Sequence, residues 1–195
     1  MVMEIPKAWR QILEKIQMEH PHAVLAGGAL RDLDHGVKVK DLDIFIACGD
    51  DEEAAGLNEL LGGKEVEQPE LQWYPESMRE VVLVSDYDHK VNKLEVDIDI
   101  PVQFIMCNWR VDKILSRFDY AICRIGYDGR KIFYEDDYDK DKAEKTMTLV
   151  RCKGQAALEA SVERFARWRP KYPKHRWVLG CALNFGTETV DTPHL

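Results

Sequence analysis

The chain lacks any run near the roughly 20 consecutive apolar residues that a membrane span requires. Its opening residues, MVMEIPKAWRQ, lack the apolar core of a secretion signal, so the expected location is the cytoplasm. No two cysteines form a CxxC pair. Cys48, Cys107, Cys123, Cys152 and Cys181 are scattered and odd in number, which excludes a disulfide framework and a zinc knuckle and predicts buried reduced thiols. His20, His22, His35 and His89 have no metal-ligand spacing to one another. Repeats, low-complexity tracts and long linkers are also missing. A basic surplus is lacking too: 27 Lys and Arg face 35 Asp and Glu, for a net charge of −8 and a pI near 5.3. Gripping long DNA over the whole surface needs clustered cations, so that class is excluded. A small phosphate ligand that arrives with its own Mg²⁺ is not.

What is present is an ordinary globular composition, 45% hydrophobic and 32% charged, in 195 residues. That length suits one domain and can bury roughly 70% of the unfolded surface. Trp9, Ile12, Leu13 and Ile16 at helical spacing after Pro6 predict an amphipathic helix over 6–19, ended by His20-Pro21. Residues 23–26 read as a buried strand stopping at Gly27-Gly28, with a short helix from Ala29 to about Asp34. A strand at 42–47 and a helix at 52–61, capped by Asp50 or Asp51, follow. Residues 62–80 read as a loop with at most one weak strand. Strands are expected at 81–85, 94–100 and 102–106, and a helix at 110–117. FDYAICRIGYDG predicts a strand entering a hairpin at Asp128-Gly129, with Lys131–Tyr134 returning. Helices at 137–145 and 154–168 close the pattern, the second with Ala157, Leu158, Val162, Phe165 and Trp168 as its stripe. The order predicts an α+β fold, a mixed sheet flanked by helices over 1–150 with a C-terminal helix and basic tail, 151–195, packed on the same domain.

The chemistry sits in LAGGALRDLDHGVKVKDLDIFI, residues 25–46. In a strand, residues two apart face one side. Asp41 and Asp43 therefore project together, while Leu42, Ile44 and Ile46 point to the buried side. Two adjacent carboxylates cannot both stay ionised in a dry site without a cation. Mg²⁺, or Mn²⁺ in its place, suits one or two carboxylates plus substrate phosphates. Gly27 and Gly28 let backbone approach a ligand closely, a helix start favours an anion, and Arg31 one turn on could add a bidentate phosphate contact. A phosphate cradle and a carboxylate pair on consecutive strands form the arrangement that nucleotidyl transfer needs.

The segment resembles the signature of the nucleotidyltransferase superfamily related to DNA polymerase beta. It is most similar to the head domain of bacterial poly(A) polymerases and class II (eukaryotic-type) CCA-adding enzymes. Gly27, Gly28, Arg31, Asp32, Gly36, Asp41 and Asp43 match its pattern. The resemblance implies that the Gly pair contacts the triphosphate, that Arg31-Asp32 supports the site, and that Asp41 and Asp43 bind catalytic metal. It implies an NTP as substrate and tRNA or another short RNA end among the acceptors. Only about 45 residues follow the expected sheet, and no templating neck motif is found. PVQFIMCN followed by FDYAICRIGYDG is more weakly similar to short phage- or virus-encoded nucleotidyltransferase-like proteins, which makes templated CCA addition unexpected.

The superfamily adds a third carboxylate from a strand beside the DxD strand. Asp97 is the first candidate for that catalytic, metal-binding role, with Asp99 on the same face. If PVQFI is the central strand, Gln103 takes the place and Asp119 is the next candidate. A missing carboxylate would permit a nucleotide-binding pseudoenzyme; a third class is a toxin-like transferase acting on tRNA or protein. The acidic run Glu135 to Asp141 reads as a solvated helix start. RWRPKYPKHRW (167–177) is the one concentrated basic stretch. It either docks an RNA end or triphosphate by charge and stacking, or packs its tryptophans on the domain.

Overall fold

The structure, a computed structural model, describes residues 3–65, 81–87, 93–107, 110, 113–152 and 154–181. Helix α1 (Lys7–Gln17) starts after Pro6 and buries Trp9, Ile12, Leu13 and Ile16, the four positions its periodicity selects. The fully buried strand β1 (Val24–Ala26) runs through Gly27 into α2 (Gly28–Asp34). Strand β2 (Leu42–Ala47) leads to α3 (Asp51–Leu61), where Asp50 caps by accepting from the Glu53 amide at 2.9 Å. Then come β3 (Gly63–Glu65), β4 (Val81–Tyr87) and β5 (Val102–Cys107). Strands β6 (Ile125–Tyr127) and β7 (Ile132–Tyr134) form the expected hairpin around Asp128-Gly129. Helix α4 (Asp136–Glu144), β8 (Thr146–Leu149), α5 (Gln155–Trp168) and β9 (Arg176–Leu179) complete the chain.

The main sheet has seven strands in the order β3-β4-β5-β2-β1-β6-β7. Only β2 and β5 in it are parallel, joined by the crossover that contains α3. The small β8-β9 pair is parallel and separate. The fold is thus α+β, a mixed sheet flanked by helices. β2 is covered on both faces: Leu42, Ile44 and Ile46 join the larger core with α1, while Phe45 packs with Val24, Ala26, Val84, Ile105 and Cys107. Asp43, whose parity is that of Phe45, thus stands on the second face. All five cysteines are free. Among the described residues no helix is long and apolar enough to cross a membrane.

Several expected elements change. Residues 94–100 form no strand; Val96 and Ile98 are buried and Asp97 and Asp99 exposed, so the alternation reports burial without a ladder. The positions beside β2 are already taken by β1 and β5. Where a helix was expected at 110–117, the described residues hold a 3₁₀ turn at Leu115–Arg117. Ala121–Cys123 is likewise a buried 3₁₀ turn, and of that predicted strand Ile125–Tyr127 joins the main sheet while Tyr120 makes an isolated bridge to Leu149. β8 and β9 went unpredicted, being four residues each with no hairpin signal. In α5, Val162 is 48% exposed and Ser161 buried, because the helix turns its Ser161 edge to Asp119. Most of 62–80 lies outside the described residues, apart from β3.

Candidate active site

The two glycines answer different demands. Gly27 has φ +84°, and a Cβ there would stand 2.9 Å from the Phe118 ring. Its amide donates to the Ile125 carbonyl at 3.0 Å, which ties the turn to β6. Backbone conformation and packing both require glycine at this point. At Gly28 a Cβ would meet nothing nearer than Arg31 Nη2 at 3.7 Å, ordinary contact distance. Internal packing therefore does not require a glycine at Gly28.

Arg31 and Asp32, 3% exposed each, form a closed cage on α2. Arg31 Nε and Nη2 donate to Asp32 Oδ1 at 2.8 and 2.5 Å, Nε also to Tyr172 Oη at 3.0 Å, and Nη1 to Cys123 Sγ at 3.1 Å. The Trp168 ring lies 4.2 Å from the guanidinium carbon. Tyr172 Oη donates to Asp32 Oδ1 at 2.6 Å, and Lys171 Nζ to Oδ2 at 3.0 Å. Burial opposes the charge of Arg31, but Cys123, Tyr172 and Asp32 outweigh it and hold the pKa above the ordinary arginine value. The bidentate phosphate contact expected of Arg31 would need donors that here face protein partners.

Asp41, just ahead of β2, and Asp43 within it alternate with Leu42 and Ile44, both 0% exposed, and so share a side. Asp41 meets Lys40 Nζ at 3.4 Å, with that lysine largely in solvent. Burial and the neighbouring Asp41 push the Asp43 pKa up to about 7, against a smaller opposing pull from Arg31 and Lys40. Such a pair is short of a counter-cation. Two carboxylates from one strand fit Mg²⁺ that takes its remaining ligands from water and substrate phosphate.

The third position differs from expectation. Asp97 and Asp99 are exposed and off the sheet. Asp119 is buried and bonded to Ser161 Oγ at 2.8 Å and to Arg164, so it anchors α5. Among the described residues no three His, Cys, Asp or Glu side chains form a group that could hold a metal ion. Gln103 of β5 stands in register with Asp43, and Asp86 of β4 in register with Gln103. Gln103 Nε2 donates to Asp86 Oδ1 at 2.9 Å. Asp86 was not foreseen; its signal was its parity with Val84 in VVLVSDY.

The basic stretch packs on the domain, the second of the two roles expected of it. Trp168 covers Arg31, Trp177 Nε1 donates to Tyr120 Oη at 3.1 Å, and Lys171 holds Asp32. Arg167, Arg169, Lys174 and Arg176 remain exposed.

Three comparisons extend these observations. A sequence profile described as Gabija anti-defense 2 family protein matches residues 4–145. No curated protein matches the chain. Among solved structures, the Thermotoga maritima CCA-adding enzyme complexed with tRNA superposes with TM-score 0.58 at 17% identity, over 90% of this chain and 40% of that one. A CCA-adding enzyme in complex with CTP gives TM-score 0.57 at 18% identity, over 90% and 41%. A tRNA-processing enzyme in an apo form gives 0.55 at 16%, over 88% and 44%. The chain spans less than half the length of these structures, and the likeness is one of fold.

Proposed function

The chain belongs to the Gabija anti-defense 2 family, and from that premise we propose that it is a metal-dependent nucleotidyltransferase, moving a nucleoside monophosphate from an NTP to a hydroxyl acceptor and releasing pyrophosphate. One observation carries this reading: Asp41 and Asp43 project together beside the Gly27-Gly28 turn, on a fold like that of CCA-adding enzymes. Asp41 and Asp43 would hold a divalent cation, which supplies charge neutralisation for the triphosphate and acidifies the attacking hydroxyl. Gly28 leaves room for phosphate to approach the backbone, and Gly27 shapes the turn. Arg31 and Asp32 touch no substrate; they keep α2 seated so that the turn faces β2. The acceptor oxygen forms the new bond to the α-phosphorus as the bond to the pyrophosphate oxygen breaks, and the hydroxyl proton passes to solvent. The tRNA and CTP complexes among the similar structures support a short RNA end as acceptor. The family description supports a role for this reaction in countering a Gabija defence.

The test is incubation with each labelled NTP, Mg²⁺ and cell lysate, with pyrophosphate release measured in parallel. Label should enter RNA, and Asp41→Ala with Asp43→Ala should abolish incorporation while the fold persists. Label in protein would point to the toxin-like reading. Mg²⁺-dependent NTP binding without turnover across acceptors would make the chain a non-catalytic module, a reading that Gln103 in place of a third carboxylate favours.

A further inference from the structure

Strands β2, β5 and β4 lie side by side, and their registers set Asp43, Gln103 and Asp86 in one row across the sheet. The row occupies the face that carries Phe45, Ile105 and Val84, since residues two apart share a side. Neighbouring strands stand about 4.8 Å apart, so Gln103 is the immediate lateral neighbour of Asp43 on one side and of Asp86 on the other. Its bond to Asp86, Nε2 to Oδ1 at 2.9 Å, decides how the amide is turned. An ionised carboxylate only accepts hydrogen bonds, so the amide must present its nitrogen to β4. The oxygen, on the other branch of the same planar group, is left for the β2 side, where Asp41 and Asp43 stand. Amide oxygens are hard, neutral ligands of the kind that Mg²⁺ and Ca²⁺ accept.

We propose that Gln103 Oε1, turned by Asp86, is the third protein oxygen of the Asp41–Asp43 cation site. The proposal rests on the nucleotidyltransferase reading. Asp86 is a positioning residue, acting only through the amide. The charge arithmetic gives the site its character: two carboxylates and an amide carry −2 where three carboxylates would carry −3. The missing charge weakens the hold on a free cation, and the oxygens of a triphosphate make it up. Cation and nucleotide therefore enter as a unit, and the chain without nucleotide holds a metal poorly.

The experiment titrates the full chain with Mn²⁺, following the free-ion electron paramagnetic resonance signal, with and without the α,β-methylene analogue of CTP. Wild type should bind Mn²⁺ at least about tenfold tighter with the analogue. Q103E should tighten binding without the analogue by about tenfold, and Q103E with D86N, which keeps a donor facing an acceptor, serves if Q103E alone fails to fold. Gln103→Leu should weaken binding in the presence of the analogue by about tenfold, and Asp86→Leu, which removes the acceptor, nearly as much, with Asp86→Glu retaining it. A strand-bridging role alone would lower the melting temperature of Gln103→Leu and leave Mn²⁺ affinity unmoved, which overturns the proposal. If Asp43→Asn abolishes binding while the Gln103 variants change it by less than about twofold, Gln103 is no ligand and the nucleotidyltransferase reading survives. If Asp43→Asn changes nothing, both fall.

Discussion

Two groups of charge, about ten residues apart in one motif, are treated in opposite ways. On α2, Arg31 and Asp32 are sealed among Tyr172, Lys171, Trp168 and Cys123, each polar atom matched. At β2, Asp43 has no hydrogen-bond or ion-pair partner among the described residues, and Asp41 has only the solvated Lys40. A saturated pair stabilises shape, because its fields end on each other. An unsaturated one stores demand for a cation. The difference teaches that the motif is not one structural unit: its Arg-Asp half is closed by protein partners, and its Asp-x-Asp half is left open for the proposed cation.

The comparison can be broken most sharply at its chemical half. Asp43→Asn should lower nucleotidyl transfer by about 10³-fold, several kcal/mol of transition-state stabilisation. The melting temperature should hold or rise, because a repelling charge is removed. Arg31→Met should do the reverse. Leaving buried Asp32 with Lys171 as its one cation, beside the Tyr172 hydroxyl, costs about 3–5 kcal/mol in denaturant unfolding, with activity falling only as the folded fraction falls. A stable Arg31→Met chain that has lost NTP affinity would return Arg31 to the phosphate and erase the contrast. The glycines divide the same way on a smaller scale. Gly27→Ala should destabilise by about 1–3 kcal/mol through backbone strain and the Phe118 clash. Gly28→Ala should leave stability equal or improved by up to about 1 kcal/mol, while NTP affinity measured by calorimetry drops about tenfold.

The smallest effect is in pH. The Asp43 carboxyl, raised to about 7 in the folded chain, favours folding while protonated, so this contribution is present below the ordinary value of 3.8 and fades as pH rises through 7. Mg²⁺ should therefore raise the melting temperature at pH 8 and not at pH 5.5. Asp41→Asn should move the midpoint of Mg²⁺ binding to lower pH by removing the repelling neighbour.

The contrast also explains what was legible in the sequence. Local periodicity placed α1 and its four core residues, β2 to the residue, and the α3 cap to within Asp50 or Asp51, because each depends on side chains a few positions apart. The pairing of Asp41 with Asp43 was legible for the same reason. The cage was not. Tyr172, Lys171 and Trp168 lie more than 130 positions from Arg31 and Asp32, and nothing in a bare Arg-Asp dipeptide says whether its partner will be phosphate or protein. Residues 94–100 misled because Val96 and Ile98 alternate as a strand does, although burial, not pairing, produced the pattern. Asp86 was missed since cross-strand register is a property of the assembled sheet.

The bond between Asp32 and Tyr172 closes a loop of 140 residues. A contact of such long range forms late in folding, because its closure entropy must be met by contacts already made. During synthesis, the charged pair on α2 has no matching partners until the segment around Tyr172 leaves the ribosome. A chain cut before residue 168 would keep its DxD strand and lose the partners that enclose Arg31 and Asp32.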